Sequence, residues 1–311
     1  MRLVQRAARI LAVIVIITFA TALLLQLAPG TPAQVIAGEG ASPETLAAID
    51  AEYGFDRPFV VQYLDWLGDF VTGDLGTSYR TLEPVWGAIA NAAPATLQLA
   101  IGAVLLALIV AVPAALFCAF RADSAFDRAV NVITSALIAI PPFVAALLLS
   151  YLFAVQLGWV PVTGWVPLSE SLTENFQYAA LPVVALSLHP AALFYRVLRA
   201  DLVTSLQQDH IALARAKGLS PTAVMLRHAL RPSAFSLMTV VGLQLAQLLG
   251  TTVVVEVLLG IPGLGALLVS AVLGQDLITV QGVVLVVALG YLLLNLAVDV
   301  SYRFVDPRVK V

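Results

Sequence analysis

Few residues in this 311-residue chain have the type and spacing to do chemistry. Ser187 and His189 lie two apart, so on a helix their side chains diverge and cannot act as a nucleophile and its base. No Gly-x-Ser-x-Gly turn presents a nucleophile, and no His-Glu-x-x-His pair offers a metal site. No glycine-rich phosphate loop ends in Lys-Ser or Lys-Thr, so ATP hydrolysis by this chain is not expected. Cys118, the only cysteine, lies in an apolar run, which excludes a disulfide framework and a cysteine-rich metal site. The pattern that stands out is basic and helical. It comprises Ala212, Ala214, Arg215, Lys217, Gly218 and Leu219, then Ser220-Pro221, Arg227, His228 and Leu230. The alanine-rich stretch favours a short helix with cations near its C-terminal end, and Gly218 supplies the stop. Ser220 and Pro221 then start a second short helix, expected to end near His228. A helix–glycine–helix of this kind suits docking into a groove on another protein. The alternative is a basic loop that only sets orientation in a membrane.

The elements that must position this segment follow from composition. The chain is 60% hydrophobic and 11% charged, with a mean hydropathy of +0.96. Soluble domains carry about 25% charged residues, so a soluble fold, a disordered chain and a nucleic-acid binder are all excluded. In lipid, backbone groups must be satisfied within each segment, and a span needs roughly 20 apolar residues. Six runs qualify, near Ile10–Ala28, Ala95–Phe120, Ala129–Leu157, Ala179–Val197, Phe235–Val257 and Val280–Val300. The fold class is therefore an all-α polytopic membrane protein of six spans. The first run is longer than the apolar core of a usual signal peptide and is read as an uncleaved span.

Charge sets the orientation. With the N-terminus inside, 14 of the 16 bases fall on the inner side, leaving Arg57 and Arg80 outside. Thirteen of the 19 acids fall outside, nine of them between Glu39 and Glu83. Both termini are thus expected to be cytoplasmic. Residues 30–94 form an outside insertion with helical signals of its own. Ser42-Pro43-Glu44 starts one helix, which stops at Gly54 after Tyr53. A second begins near Pro58, where Val60, Tyr63, Leu64, Leu67, Phe70 and Val71 recur at helical spacing with Asp65 and Asp69 opposite. Gly73-Asp74-Leu75-Gly76 reads as a turn. The insertion is either a cap on the outer face or a helix lying at the membrane interface, which Tyr63 and Trp66 also suit.

No charge lies in the middle of an expected span, which argues against a proton-coupled carrier. The polar groups in or near spans are Asn131, His189, Gln244, Gln247 and Asn295. His189, followed by Pro190, is expected to interrupt the fourth span; it either faces a pore or bonds to nearby backbone. Gln244 and Gln247 share a helical face and either line a pore or join helices. Pro113 and Pro141-Pro142 are expected to kink their helices. Pro262, Gly263 and Gly265 form a tight turn near an outer gate. Glu256 sits at the outer end of its span, either on a docking surface or simply wet. A secondary transporter would usually show broken helices and an inverted repeat, and neither stands out.

Ala214–Leu219 followed by Arg227–Pro232 resembles the EAA loop of ATP-binding-cassette importer permeases, in the variant of the dipeptide, oligopeptide and nickel group. Matching segments run through the chain in order: Ala28-Pro29-Gly30, Tyr53–Pro58, Gly73–Ser78, Ile261–Gly265 and Val305–Arg308. The general Glu-Ala-Ala pattern is incomplete, because Ala212, Leu213 and Ala214 occupy those positions and only the last matches. The long outside insertion is similar to that of the first of the two paired permeases. The resemblance implies the type I importer permease fold, in a prokaryotic inner membrane. It divides the chain into a first span (1–29), an extracytoplasmic helical cap (30–94), a five-helix core (95–303) holding the coupling loop 200–232, and a cytoplasmic tail (304–311). It further implies a second homologous permease, two cytoplasmic ATPases that hold the ATP and magnesium, and an extracytoplasmic solute-binding protein. This chain itself would bind no cofactor, metal or nucleic acid. Asp65, Asp69, Asp74 and Glu256 are the candidate contacts to the binding protein. The implied cargo is a short peptide, with nickel or another small solute as the alternative.

Overall fold

The computed structural model describes the backbone of residues 2–27, 31–38 and 40–305, and side chains from Ile10 to Val298 except at 25, 28–30 and 39. Pro29-Gly30, Asp306, Pro307, Arg308 and Lys310, used in reading the sequence, lie outside the described residues, as do the side chains of Arg2, Arg6, Arg9 and Arg303. Among the described residues all regular structure is helical, and the one bridge joins Thr77 to Pro84. Four helices are long and apolar enough to cross a membrane: Val85–Phe120, Leu172–Leu206, Pro221–Leu259 and Leu277–Val298. Ala125–Ala139 with Pro142–Gln156 makes a fifth candidate as a bent pair, and Ile10–Leu24 is a shorter apolar helical stretch.

The chain forms two compact units, each discontinuous in sequence. The first comprises residues 1–96 and 262–292, and the second residues 97–261 and 293–311.

In the first unit α1 (Arg2–Gln26) is followed by three helices of the insertion. The first of these, α2 (Pro32–Ala37), was not expected. Its capping box pairs Thr31 with Gln34 in both directions, a Thr-x-x-Gln signature visible in the sequence. The second, α3 (Pro43–Tyr53), starts at the Ser42 cap and ends at Gly54 in the left-handed conformation, as expected. The third, α4 (Phe59–Thr72), buries Tyr63 of the expected stripe and packs Leu67 and Phe70 against the core, but it adds Trp66 and leaves Val60, Leu64 and Val71 exposed. Polar bonding and ring packing select that face. The Tyr63 hydroxyl shares a hydrogen bond with Thr18 Oγ1 at 2.9 Å and lies 3.2 Å from the Val15 carbonyl. Phe19 stands edge-on to the Tyr63 ring at 5.1 Å. So α4 packs on α1 rather than floating free, and both join a core with Leu75, Val85, Ile89, Leu264 and Val283. The last elements of this unit are α12 (Leu264–Leu273) and the start of α13 (Leu277–Val305).

α5 (Val85–Phe120) runs unbroken through Pro113 for 36 residues. At about 1.5 Å per residue it is longer than a bilayer's hydrocarbon core, so it begins ten residues before the expected boundary at 95. In the second unit, the single span expected over Ala129–Leu157 is instead α6 (Ala125–Ala139) and α7 (Pro142–Leu149), bent by 102°. Two successive residues each precede a proline and are pushed out of the helical region, Ile140 to ψ 119° and Pro141 to ψ 140°. Pro142 then occupies the first turn of α7, where its missing N–H costs nothing. α7 continues as a wide π-turn over Ser150–Gln156. α8 (Leu172–Leu206) is not interrupted at His189-Pro190; it passes through Pro182 and Pro190. Each proline removes one backbone bond, a loss that membrane helices tolerate when neighbours pack around them.

α8 packs against α6, α7 and α11 (Leu230–Leu259). Its tie to α6 is ionic. Asp127, 1% exposed, accepts from Arg199 Nε at 2.5 Å on Oδ1 and from Arg199 Nη2 on Oδ2. Tyr195 Oη (3.3 Å), Asn131 Nδ2 (3.1 Å) and the Asp123 amide (3.0 Å) complete the carboxylate's donors. Elsewhere α11 approaches α13 closely at Gly242, where an added Cβ would collide with the Val298 side chain.

Removing one partner of such a pair leaves the other charge poorly solvated. Asp127→Ala is expected to cost about 3 kcal/mol, against about 1 kcal/mol for Asn131→Ala. Thermal unfolding of the detergent-solubilised protein measures the difference. Equal midpoints for the two variants would refute the ranking.

Candidate functional site

The basic segment singled out in the sequence folds as two helices around a left-handed glycine. α9 (Asp209–Ala216) buries Ile211 and Ala214 and exposes Ala212, Leu213, Arg215 and Lys217. Gly218 has φ +77°; its N–H reaches the Arg215 carbonyl at 2.9 Å, and the Leu219 N–H reaches the Ala214 carbonyl at 3.3 Å. These bonds satisfy carbonyls that the helix end would leave open. Ser220 Oγ accepts from the Ala223 N–H at 3.3 Å, and Pro221 opens α10 (Pro221–Ala223).

The second helix does not stop near His228. A π-turn over Val224–Ala229 carries it into α11, giving one helical run from Pro221 to Leu259. The Leu230 N–H bonds to the Met225 carbonyl, five residues back. This wide turn sits just before Pro232, whose ring would collide with the carbonyl four residues back in a regular helix. Arg227 is exposed, and His228 and Leu230 are half-buried. Beneath the segment lies a cavity of about 500 Å³ whose lining includes Phe120, Leu206, Arg215, Leu219, Val224 and Met225. Arg215 and Leu219 thus border a mostly apolar recess.

The candidate pore residues are only partly assembled. Gln244 Nε2 donates to Gln247 Oε1 at 3.0 Å along α11, with Gln244 buried and Gln247 exposed. His189 is half-buried in α8, and among the described residues no hydrogen bond links it to either glutamine. Pro262 is exposed, while Gly263 and Gly265 are buried at the start of α12. The Leu264 N–H there donates to Thr96 Oγ1 at 2.8 Å.

In the insertion, Asp65 pairs with Arg57 at 3.0 Å, with both side chains exposed. Asp69 and Asp74 are exposed, and Asp74 Oδ1 accepts from the Gly76 N–H at 2.8 Å. Glu256 departs from expectation. It is 0% exposed, so it is not the wet charge that its place at the helix end suggested.

Two anchoring carboxylates were missed in the sequence. Asp127 pairs with a residue 72 positions away. Asp276, 4% exposed, accepts from Ser78 Oγ at 2.5 Å, Thr279 Oγ1 at 2.6 Å and the Thr279 N–H at 3.3 Å. Ser78 Oγ in turn accepts from the Arg80 and Thr81 amides. Neighbouring Tyr79 is pushed up to about 12 by burial and then by Asp276, so its phenol stays a neutral donor. The Asp-x-x-Thr cap at the head of α13 was readable; its Ser78 partner was not. Among the described residues no three His, Cys, Asp or Glu side chains are arranged to hold a metal ion.

The family described as the binding-protein-dependent transport system inner membrane component matches residues 111–311, and the N-terminal component of the same systems matches residues 1–100. The chain is 38% identical over 308 residues to a Brucella abortus protein named as a peptide transport system permease, spanning 99% of this chain and 98% of the relative. It is 33% identical over 326 residues to the dipeptide transport system permease protein DppB of Alkalihalophilus pseudofirmus, with 98% of each covered. To the di/tripeptide transport system permease protein DppB of Pseudomonas aeruginosa it is 34% identical over 315 residues, covering 94% of each. Among solved structures, the inward-facing MetNI methionine ABC transporter is similar, with a TM-score of 0.60 at 17% identity, over 71% of this chain and 97% of that one. That likeness is one of fold.

The Asp276 contacts hold residues 73–84 to the head of α13. Asp276→Ala is expected to cost about 2 kcal/mol, and Ser78→Ala about 1 kcal/mol. Hydrogen exchange should rise over 73–84 in Asp276→Ala and stay unchanged over 209–219. Unchanged exchange over 73–84 would show that other contacts hold the loop.

Proposed function

Because the chain belongs to the family of binding-protein-dependent transport system inner membrane components and has the type I importer permease fold, we propose that it forms half of a peptide-conducting pore driven by cytoplasmic ATPases. The observation that carries the peptide cargo is full-length similarity to permeases named for peptide transport systems. A second, homologous permease completes the pore. An extracytoplasmic binding protein delivers the peptide, and two ATPase subunits bind ATP and magnesium. The chain sits in a prokaryotic inner membrane with both termini cytoplasmic, the orientation that places 14 of its 16 bases inside.

In this reading Asp209–Leu230 couples the ATPases to the pore. Exposed Leu213, Arg215, Lys217 and Arg227 face the ATPase, while buried Ile211, Ala214, Val224 and Met225 hold the segment to its own unit. Closure of the ATPases pushes on α9. The push passes through the Gly218 turn into a helix that runs without a break to Leu259. The segment joins α8 to α11, and because Arg199 ties α8 to Asp127 of α6, the displacement falls on α11. Gln244 and Gln247 then offer amides to peptide groups, and Pro262, Gly263 and Gly265 allow the chain to turn at the gate.

Gly218 tests the coupling. Nothing lies within 4 Å of a Cβ added there, so substitution strains the backbone alone. A β-branched residue in this conformation costs about 1–2 kcal/mol, whereas asparagine tolerates it. Gly218→Val is expected to reduce uptake of labelled dialanine about tenfold, with the amount in the membrane unchanged. Gly218→Asn should retain most uptake. Full uptake by Gly218→Val would refute the coupling role, and a complex purified without ATPases would refute the importer reading.

A further inference from the structure

Between the π-turn that ends at Gln156 and the start of α8, residues 157–171 form an irregular strap within the second unit. In the orientation proposed above it lies on the outer side. Its composition keeps it out of a helix. Pro161 and Pro167 bring no N–H, and Gly158 and Gly164 take positive φ, +62° and +114°. One part of the strap is clasped by a buried amide. Asn175, 1% exposed, donates from Nδ2 to the Val166 carbonyl at 2.7 Å and to Gln98 Oε1 at 3.3 Å. Its Oδ1 accepts from Gln98 Nε2 at 2.5 Å. The strap is thereby joined to α8 through Asn175 and on to α5 through Gln98. Its tie to α11 is slighter. The Gly164 N–H donates to the Leu259 carbonyl at 2.9 Å, the one described hydrogen bond between strap and α11. Gly260 ends α11 beside it at φ +64°. A side chain at Gly164 would press on the Tyr178 ring, 3.0 Å from an added Cβ. Thr163 and Gly260, which flank the contact, are exposed.

These unequal ties decide what gives way when α11 moves. α11 carries 30 residues from the π-turn over 224–229 to Leu259, about 45 Å at 1.5 Å per residue. A tilt of about 5° at the π-turn therefore shifts Leu259 by about 4 Å. A hydrogen bond does not survive that displacement. The clasp feels none of it, because Asn175 belongs to α8, which Arg199 fixes to Asp127. We propose that residues 157–171 are a latch on the outer end of α11. With the Gly164–Leu259 bond made, that end is held beside α8. The bond breaks and re-forms in each transport cycle as the coupling segment tilts α11, while the Asn175–Gln98 clasp stays intact and guides the strap back. The assignment rests on the coupling reading proposed above and adds the outer closure that the coupling controls. The two glycines suit the role, since the backbones at Gly164 and Gly260 meet with no side chain between them.

A removable cross-link tests the latch. A Cβ added at Gly260 would stand 3.8 Å from Thr163 Cβ, inside the disulfide range of about 3.5–4.5 Å. The double variant Thr163→Cys/Gly260→Cys is prepared in the complete permease–ATPase complex, in proteoliposomes with the binding protein. Oxidation should reduce dialanine uptake at least about tenfold, and dithiothreitol should restore it in the same sample. The parent, whose own Cys118 is buried, should be indifferent to both treatments. Full uptake by the cross-linked complex would overturn the latch. Hydrogen exchange in the unaltered complex is the second measurement and needs no variant. Trapping the ATPases with ATP and vanadate should raise exchange over 162–166 and leave 172–178 unchanged. Unchanged exchange over 162–166 would overturn the latch as well. Parent uptake separates the two readings. Uptake that survives the cross-link sinks the latch and leaves the importer standing, whereas a parent without uptake sinks the importer reading itself.

Discussion

A backbone surrounded by apolar side chains and lipid has no water to turn to, so each N–H and C=O must be satisfied by the chain itself. Helix is the default, and the departures at the prolines have a local chemical cause. Two consecutive pre-proline residues end α6 and turn the chain by 102° into α7. A lone proline does less: α5 passes Pro113, and α8 passes Pro182 and Pro190. At Pro232 the helix survives by widening over Val224–Ala229. The difference between a break and a passage lies in the residue before the proline. Where that residue is itself a proline, two successive residues are biased toward extended backbone, and here both adopt it.

The same constraint governs the few buried charges. A carboxylate in this interior persists only with several donors around it. Asp127 collects five hydrogen bonds and Asp276 three, and each joins segments far apart in sequence. With apolar packing on nearly every face, hydrophobic burial alone would define register poorly, because many apolar surfaces fit one another about equally well. A directional carboxylate site accepts one arrangement. These two acids therefore specify geometry more than they add stability.

Local rules were legible in the sequence and long-range partners were not. Ser42-Pro43, Gly54, Gly218 and Ser220-Pro221 mark helix ends because caps depend on residues within one turn. The Thr31–Gln34 box obeys the same rule. The buried face of α4 was legible only in part: Tyr63, Leu67 and Phe70 join the core, but hydrophobic spacing treats all apolar residues alike and did not separate them from exposed Val60, Leu64 and Val71. The deciding contacts are a hydroxyl bond from Tyr63 to Thr18 and its ring contact with Phe19, both set by tertiary structure. Glu256 was misplaced for a related reason, since proximity to a helix end says nothing of which way that face points. The pairing of Asp127 with Arg199 crosses 72 residues, and that of Ser78 with Asp276 crosses 198. No local pattern encodes either.

These anchors explain how a short surface helix could move long ones. A lever transmits displacement only if its ends are stiffer than its load. On one side of the 209–230 segment, α8 is fixed to α6 by Arg199, ten residues before α9 begins. On the other, α10 passes through the π-turn into α11 with no flexible joint. Gly218 bends the chain but does not loosen it, because two backbone bonds close the turn across it. A π-turn is a place where helices bend, so it sets the direction in which α11 leaves α10. A push on α9 would therefore rotate α11 about residues 224–229 while the Asp127 clip holds α8 still. The relative motion would open the α8–α11 contact, the most extensive helix packing in the second unit. In the coupling proposed above, the buried Arg199–Asp127 pair would be the fixed point against which the moving helix works.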